Sequence, residues 1–400
     1  ATENISDKKK FIGETFMKVC EEHLNSDTKI GIKLSGGLDS STMLASMEKN
    51  KKYLSNQCFS VDFGSRFSEK EWIMDTAKYF NKKINIISYR ENDFLKDFEK
   101  LIYTHEGPLG GLMNCAFEKV YQSAREKGIR VLLDGTGLDE AFGGYRIHHF
   151  LYLRNLYSKK NSTFNKSLKD YSNQWNVNIK NVLYDIQNFS VENNYTQDSS
   201  NFSQKNFTTK YIQSLSKKNI NKDLYNIDNF HKNLIDYIVH SKIPKNTRIK
   251  DRQSMSYSIE LRMPFLDHRI IELGLSLNEK YYFKKGLTKS IIREVMYNKL
   301  PNAVRLGQKR SIQAPQDLFL KSPKVAEFIL ELINSIKFKN RGIFNIKNIN
   351  ESYKNFLIEG SKNTFHIWQW INVEKFFNIF IDQEIKKNIK IKEIEIEVLN

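Results

Sequence analysis

Four hundred residues carry 63 Lys+Arg against 46 Asp+Glu, a net charge of +17, with 40% apolar residues and 27 Phe. The length predicts two to three domains or one large α/β unit with a helical one, and the apolar content is too high for a disordered chain. No run of about 18 apolar residues is present to span a membrane. The lysines are scattered among Asn, Ile and Ser with no basic block interleaved with aromatics, so nucleic acid is not the expected partner. Cys20, Cys58 and Cys115 show neither C-x-x-C nor zinc spacing, the pattern of reduced, buried thiols in a cytoplasmic protein. The start, Ala1-Thr2-Glu3-Asn4, lacks both an initiator Met and the apolar core of a signal peptide, as in a processed chain or a piece of a longer one.

Residues 1–150 alternate short apolar runs with helix-like stretches, which predicts an α/β fold built on a parallel sheet. In chain order the expected strands are Lys29–Leu34, Gln57–Asp62, Lys83–Ser88 and Ile129–Asp134. The expected helices are Ser40–Asn50, Ser68–Phe80, Asn92–Thr104 and Asn114–Lys127. Between the first strand and helix lies Ser35-Gly36-Gly37-Leu38-Asp39-Ser40-Ser41. Two glycines let the backbone approach an anion, and amides at the helix start point at it. Asp39 adds a carboxylate suited to magnesium. No Walker loop occurs, and Glu140 stands where a dinucleotide fingerprint from Gly135 would need its third glycine. The segment is similar to the PP-loop of ATP pyrophosphatases, which implies ATP as substrate.

The strand before Asp134 leads into Gly135-Thr136-Gly137-Leu138-Asp139-Glu140, then Phe142-Gly143-Gly144-Tyr145. A second glycine turn at a strand end suits the opposite side of a nucleotide, and makes Asp39 and Asp139 a candidate magnesium pair. Ligands of such sheets sit at the carboxyl ends of the strands, which groups Ser35–Asp39, Asp62 and Asp134–Glu140 around one pocket. Residues 151–240 form a variable helix and loop region rich in Tyr, Asn, Lys and Ser. Residues 241–383 read as helical, with the aromatic stripe Phe365–Trp370 as packing. Residues 384–400 form a charged tail whose stretch 389–398 alternates in its halves like a strand.

The third constellation is Asp251-Arg252-Gln253-Ser254-Met255 with Glu260-Leu261-Arg262-Met263-Pro264-Phe265-Leu266-Asp267, then Lys289-Ser290-Ile291-Ile292-Arg293 and Gln308-Lys309-Arg310. With the two glycine turns, and with Glu106-Gly107-Pro108 and the Trp368 helix, the chain resembles the synthetase domain of the asparagine synthetase family over about residues 25–380.

The resemblance implies an AMP- and pyrophosphate-forming carbon–nitrogen ligase that adenylates a carboxylate and transfers ammonia or another amine to it. ATP and Mg²⁺ would be its cofactors. Ser35, Gly36, Gly37, Asp39 and Ser40 would hold the phosphates, and Leu34, Val61 and Gly135 would line the adenosine pocket. Asp39 and Asp139 would bind the metal. Lys289 would contact the α/β-phosphates, and Lys309 would stabilise the transition states near the adenylate. Asp134, Thr136 and Glu106 would face the substrate. Arg262 and Asp267 are expected to form an internal ion pair, while Glu260 and Arg252 receive no role. Two departures stand out: Thr136 occupies a position that is typically glutamate in glutamine-dependent members, and Asp134 one that is usually serine. Both point to a small-molecule or peptide carboxylate other than plain aspartate. With about 30 residues before the PP-loop, no glutaminase domain is expected in this chain, so ammonia would come from solution, a separate subunit or a detached domain. The alternatives are an RNA-modifying enzyme similar to tRNA lysidine synthetases, which the net charge favours, and an inactive partner subunit.

Overall fold

The computed structural model describes residues 5–47, 54–64, 68–188, 208–210, 228–308, 314–360 and 364–382. The chain separates into two compact units, one of residues 1–90, 112–200 and 218–315, the other of 91–111, 201–217 and 316–400.

The first unit is built on five parallel strands: β1 (Ile30–Lys33), β2 (Leu54–Asp62), β3 (Lys83–Ser88), β4 (Val131–Leu133) and β5 (Glu260–Arg262), in the order β3-β2-β1-β4-β5. Ile30 pairs with Val131, and Ile32 with both Leu133 and Cys58. Successive side chains leave opposite faces of a strand. Ile30, Ile32, Cys58, Val131 and Leu133 therefore join one core cluster with α1 (Ile5–Glu22) and α2 (Leu38–Met47). Phe59 and Leu132 join the other, with Val120, Tyr121 and Ala124 of α5 (Leu112–Glu126). Both faces of the sheet are covered, which is why its strands read as short apolar runs.

The four expected strands are present, Lys83–Ser88 with the expected ends. Helices stand where the alternation placed them: α2, α3 (Lys70–Tyr79), α4 (Glu91–His105) and α5. Two elements beyond the expected ones complete the sheet and its cover. In α1, Ile12, Phe16, Val19 and Cys20 are fully buried along one face, and Phe16 packs on Phe142 and Phe265. β5 extends the sheet beside β4, with Glu260 N donating to Arg130 O.

The second unit contains α4 and the helices Gln316–Lys321, Pro323–Asn334, Ile336–Asn340, Ile346–Glu359 and Phe365–Phe376. Trp368 packs against Phe94 and Phe98 and donates Nε1–H to Leu109 O at 3.0 Å. The aromatic stripe is packing, as expected. No helix among the described residues is long and apolar enough to cross a membrane. The tail from 384 lies outside the described residues.

Candidate active site

β1 ends at Lys33, and the chain turns through Leu34 to Gly37 before α2 begins at Leu38. The turn is closed by its own serines. Ser40 Oγ lies 3.0 Å from Ser35 Oγ and accepts Ser35 N–H at 3.1 Å, while Gly37 N–H points to Ser35 Oγ at 3.3 Å. Gly36 has φ 68°, and a Cβ there would stand 2.9 Å from Ile73 N, so α3 rests directly on the turn. Glycine meets both demands at once.

Beyond β4, Gly137 (φ 114°) turns the chain into α6 (Leu138–Ala141), which presents Asp139 from its first turn. A Cβ on Gly144 would come within 1.8 Å of Asp139 Oδ1, so the side chain lies in a cradle that only glycine leaves open. Lys289, left-handed at φ 54° and 3% exposed, precedes the helix Ser290–Val295. Its ammonium donates to Asp39 Oδ1 and, at 2.6 Å, to Asp139 Oδ1. Burial alone would lower the Lys289 pKa, but Asp139 and Asp39 outweigh it and hold the group above its ordinary value.

One turn on, Arg293 is 4% exposed. It donates to the carbonyls of Thr288 (2.7 Å), Arg305 (2.7 Å) and Gly307 (2.8 Å), fixing the segment that leads to Gln308. Burial pushes its pKa down to about 10 against the pull of Asp39.

These groups line a cavity of about 170 Å³ together with Glu69, Trp72 and Val304. The lining offers loop amides, hydroxyls, an ammonium and a guanidinium as donors and two carboxylates as acceptors or metal ligands. Such a set can take a polyphosphate with a divalent cation between it and the acids. Ser35, Gly36, Gly37, Asp39, Asp139 and Lys289 are thus brought to one cavity, with Ser40 bracing its loop.

Other expected residues lie elsewhere. Leu34 is buried in the core, and Val61 packs at the edge of the α5-side cluster. Gly135 lies against the Asp39–Ser40 backbone, where a Cβ would stand 3.1 Å from Ser40 N. None of the three lines the cavity, and neither does Asp62. Glu106, at φ 49°, belongs to the second unit. Lys309 lies outside the described residues.

The expected Arg262–Asp267 pair is corrected. Arg262 bonds Glu260 (2.7 Å) and the carbonyls of His23 and Asn25. Asp267 caps the helix His268–Leu275 and binds Arg269, because an acid at a helix start finds its nearest donors there.

Asp134 and Thr136 form a separate buried cluster with two lysines that the sequence did not single out, Lys33 and Lys250. Lys250 is 116 residues from Asp134, and no local pattern marks it. Arg293 carried a readable signal, since it stands four residues after Lys289, one turn into the helix that Lys289 precedes.

The family profile described as Asparagine synthase matches residues 12–378. The relative named "Putative asparagine synthetase 2" (glutamine-hydrolyzing) of Methanocaldococcus jannaschii is 33% identical over 147 residues, 36% of this chain and 28% of that protein. Asparagine synthetase 1 (glutamine-hydrolyzing) of Bacillus subtilis is 23% identical over 320 residues, 78% of this chain and 50% of that protein. Amidase chry2 of Gibberella zeae is 27% identical over 148 residues, 34% of this chain and 22% of that protein. The matches span half or less of the length of these relatives.

Proposed function

The chain belongs to the asparagine synthase family, and from that premise we propose that it is an ATP-dependent carbon–nitrogen ligase. In the first step a substrate carboxylate oxygen attacks the α-phosphorus of ATP, and pyrophosphate leaves from it. In the second, an amine, with ammonia the simplest case, attacks the acyl carbon of the adenylate; AMP leaves with the C–O bond pair, and the nitrogen loses a proton.

The single observation that carries this reading is the convergence on one cavity of Asp39, Asp139 and Lys289, from three separate segments, around a Ser-Gly-Gly turn. Ser35, Gly36, Gly37 and Ser40 bind and orient the phosphates. Lys289 follows the negative charge that develops on the leaving pyrophosphate. Arg293 holds the Gly307 segment of the cavity wall, and Lys309 is the proposed adenylate-side lysine. Asp39 and Asp139 fit magnesium, which takes one or two carboxylates and completes its shell with phosphate oxygens and water; when bound it neutralises charge on the transferring phosphates. Most of the acceleration would come from positioning and preorganised charge. The relatives' names support ammonia derived from glutamine as the amine, supplied by a glutaminase domain or subunit.

The profile match favours this branch over an RNA-modifying one. The test is ATP–pyrophosphate exchange with a panel of carboxylic acids. Exchange that depends on an added acid and is lost in Asp39→Ala and Lys309→Ala supports the reading; activity intact in both variants overturns it.

A further inference from the structure

The Lys33–Asp134–Lys250 cluster has no part in the chemistry above. Lys33 Nζ donates to Asp134 Oδ2 at 2.9 Å and lies 3.1 Å from the centre of the Phe117 ring of α5. Lys250, on the helix Lys242–Met255, reaches both Asp134 oxygens at 3.0 Å and donates to Thr136 Oγ1. Thr136 in turn donates its hydroxyl and amide to Asp134 Oδ1. The three charged side chains are 6–12% exposed.

Two ammonium groups face one carboxylate, which leaves a buried excess of +1. Both ammonium groups must share that one carboxylate, and buried charge that is incompletely balanced is costly. The strain registers on Lys33: burial pushes its pKa down to about 8, and Lys250 adds to the push against the pull of Asp134.

The cluster stands where sheets of this kind receive ligands. Strand order reverses between β1 and β4, with β2 and β3 continuing to one side and β5 to the other. Open α/β sheets bind their ligands outside the carboxyl ends of the strands at that reversal. Lys33 is the last residue of β1, and Asp134 follows β4 directly. Between Asp134 and Thr136 stands Gly135, pressed against the Asp39–Ser40 backbone of the phosphate turn.

We propose that Lys33 and Lys250 form an anion subsite for the acyl donor, holding a second negative group distinct from the carboxylate that reacts. The inference rests on the proposed function and names its substrate class. The reacting carboxylate gives up its charge on adenylation, so it cannot remain the counter-ion of the cluster. Two ammonium groups also repel a neighbouring amine. The class is therefore a dicarboxylic or otherwise dianionic acid without an adjacent ammonium, rather than an α-amino acid.

The experiment is ATP–pyrophosphate exchange by the full chain at pH 7.5 with succinate, glutarate, aspartate and butyrate. Succinate or glutarate should half-saturate at least about 10-fold lower than butyrate or aspartate. Lys250→Met leaves Lys33 and Asp134 as a matched pair, so it should fold; its discrimination should shrink below about 3-fold with half-saturation by ATP unchanged, and Lys250→Arg should restore it. Lys33→Met should act in the same direction, and each variant is checked by its melting curve. Equal use of butyrate, preference for aspartate, or unchanged discrimination in both Met variants overturns the subsite while the ligase reading stands. No exchange with any acid, despite bound ATP, overturns the ligase reading and the subsite with it.

Discussion

Replacing Lys289 with Met keeps most of the side-chain volume and removes the ammonium that Asp39 and Asp139 share. Both Oδ1 atoms bond one nitrogen, so they lie within about 5 Å of each other. Two like charges at about 5 Å repel by about 3 kcal/mol at an effective dielectric constant of 20. The carboxylates are 23% and 19% exposed, and solvent screening brings the expected loss to about 2 kcal/mol. At roughly 2 °C per kcal/mol in a unit of this size, the melting temperature should fall by about 4 °C. The same substitution frees a pair of acids for a divalent cation. Magnesium at about 10 mM without nucleotide should then restore most of the loss. The unsubstituted chain should respond little, because its tethered ammonium already occupies the acids. Differential scanning fluorimetry at matched ionic strength reads both effects, and Asp139→Asn in the Lys289→Met background should recover stability without magnesium. An unchanged melting temperature in Lys289→Met, or equal magnesium responses in the two proteins, would refute the charge argument.

Three further outcomes follow from single contacts. Gly144→Ala places a methyl where Asp139 Oδ1 now stands; the carboxylate must swing away, and exchange activity should drop about 100-fold with the far-ultraviolet spectrum unchanged. Burial lowers the His231 pKa, but its hydrogen bond to Asp228 (2.6 Å) and the charges of Asp228 and Glu279 raise it on balance above the ordinary value. A raised histidine contributes stability that is fully present below about pH 6.5 and fades as pH rises through the folded value. Between pH 6 and 9 stability should therefore fall by about 1 kcal/mol, and His231→Gln should flatten that slope in urea titrations. Trp368→Phe strands the Leu109 carbonyl and loosens the contacts with Phe94 and Phe98; urea unfolding of the full chain should show a loss of about 1–3 kcal/mol.

What was readable in the chain was whatever depends on neighbours in sequence. Lys83–Ser88 is a strand because its apolar run is buried between helices, and the run is visible locally. α1, not among the expected helices, nonetheless carries a local signal in the helical spacing of Ile12, Phe16, Val19 and Cys20. β5 was not. Its three residues pair only because β4 offers a free edge, and Glu-Leu-Arg alone carries no strand signal. The ion pairing around Arg262 and Asp267 failed for the opposite reason: a spacing that looked like a pair was resolved by nearer partners, a helix start for Asp267 and two carbonyls for Arg262. The cavity residues Ser35, Asp39 and Asp139 stand beside glycine turns visible in the sequence, whereas Lys250 meets Asp134 across 116 residues and could be found only in three dimensions.

The two ion clusters at the carboxyl edge of the sheet are inverse in composition. Lys289 stands between two aspartates, a sum of −1, and Asp134 stands between two lysines, a sum of +1. Together they cancel, so the ligand-free sheet edge carries no net charge from these six groups. Neither is balanced alone, and buried imbalance is costly over a few ångströms in a medium of low dielectric. On the proposed function each cluster would take a ligand of the opposite sign: magnesium brought in on the nucleotide's phosphates, onto which Lys289 moves, at the Ser-Gly-Gly turn, and an anion at Lys33 and Lys250. A substrate that delivered both charges at once, as magnesium–ATP and a dianionic acid would, satisfies the two clusters together. Magnesium–ATP beside an acid with a neighbouring ammonium would satisfy only the first. Charge selection by these six side chains would thus act before any group reacts, on which acid settles beside the nucleotide.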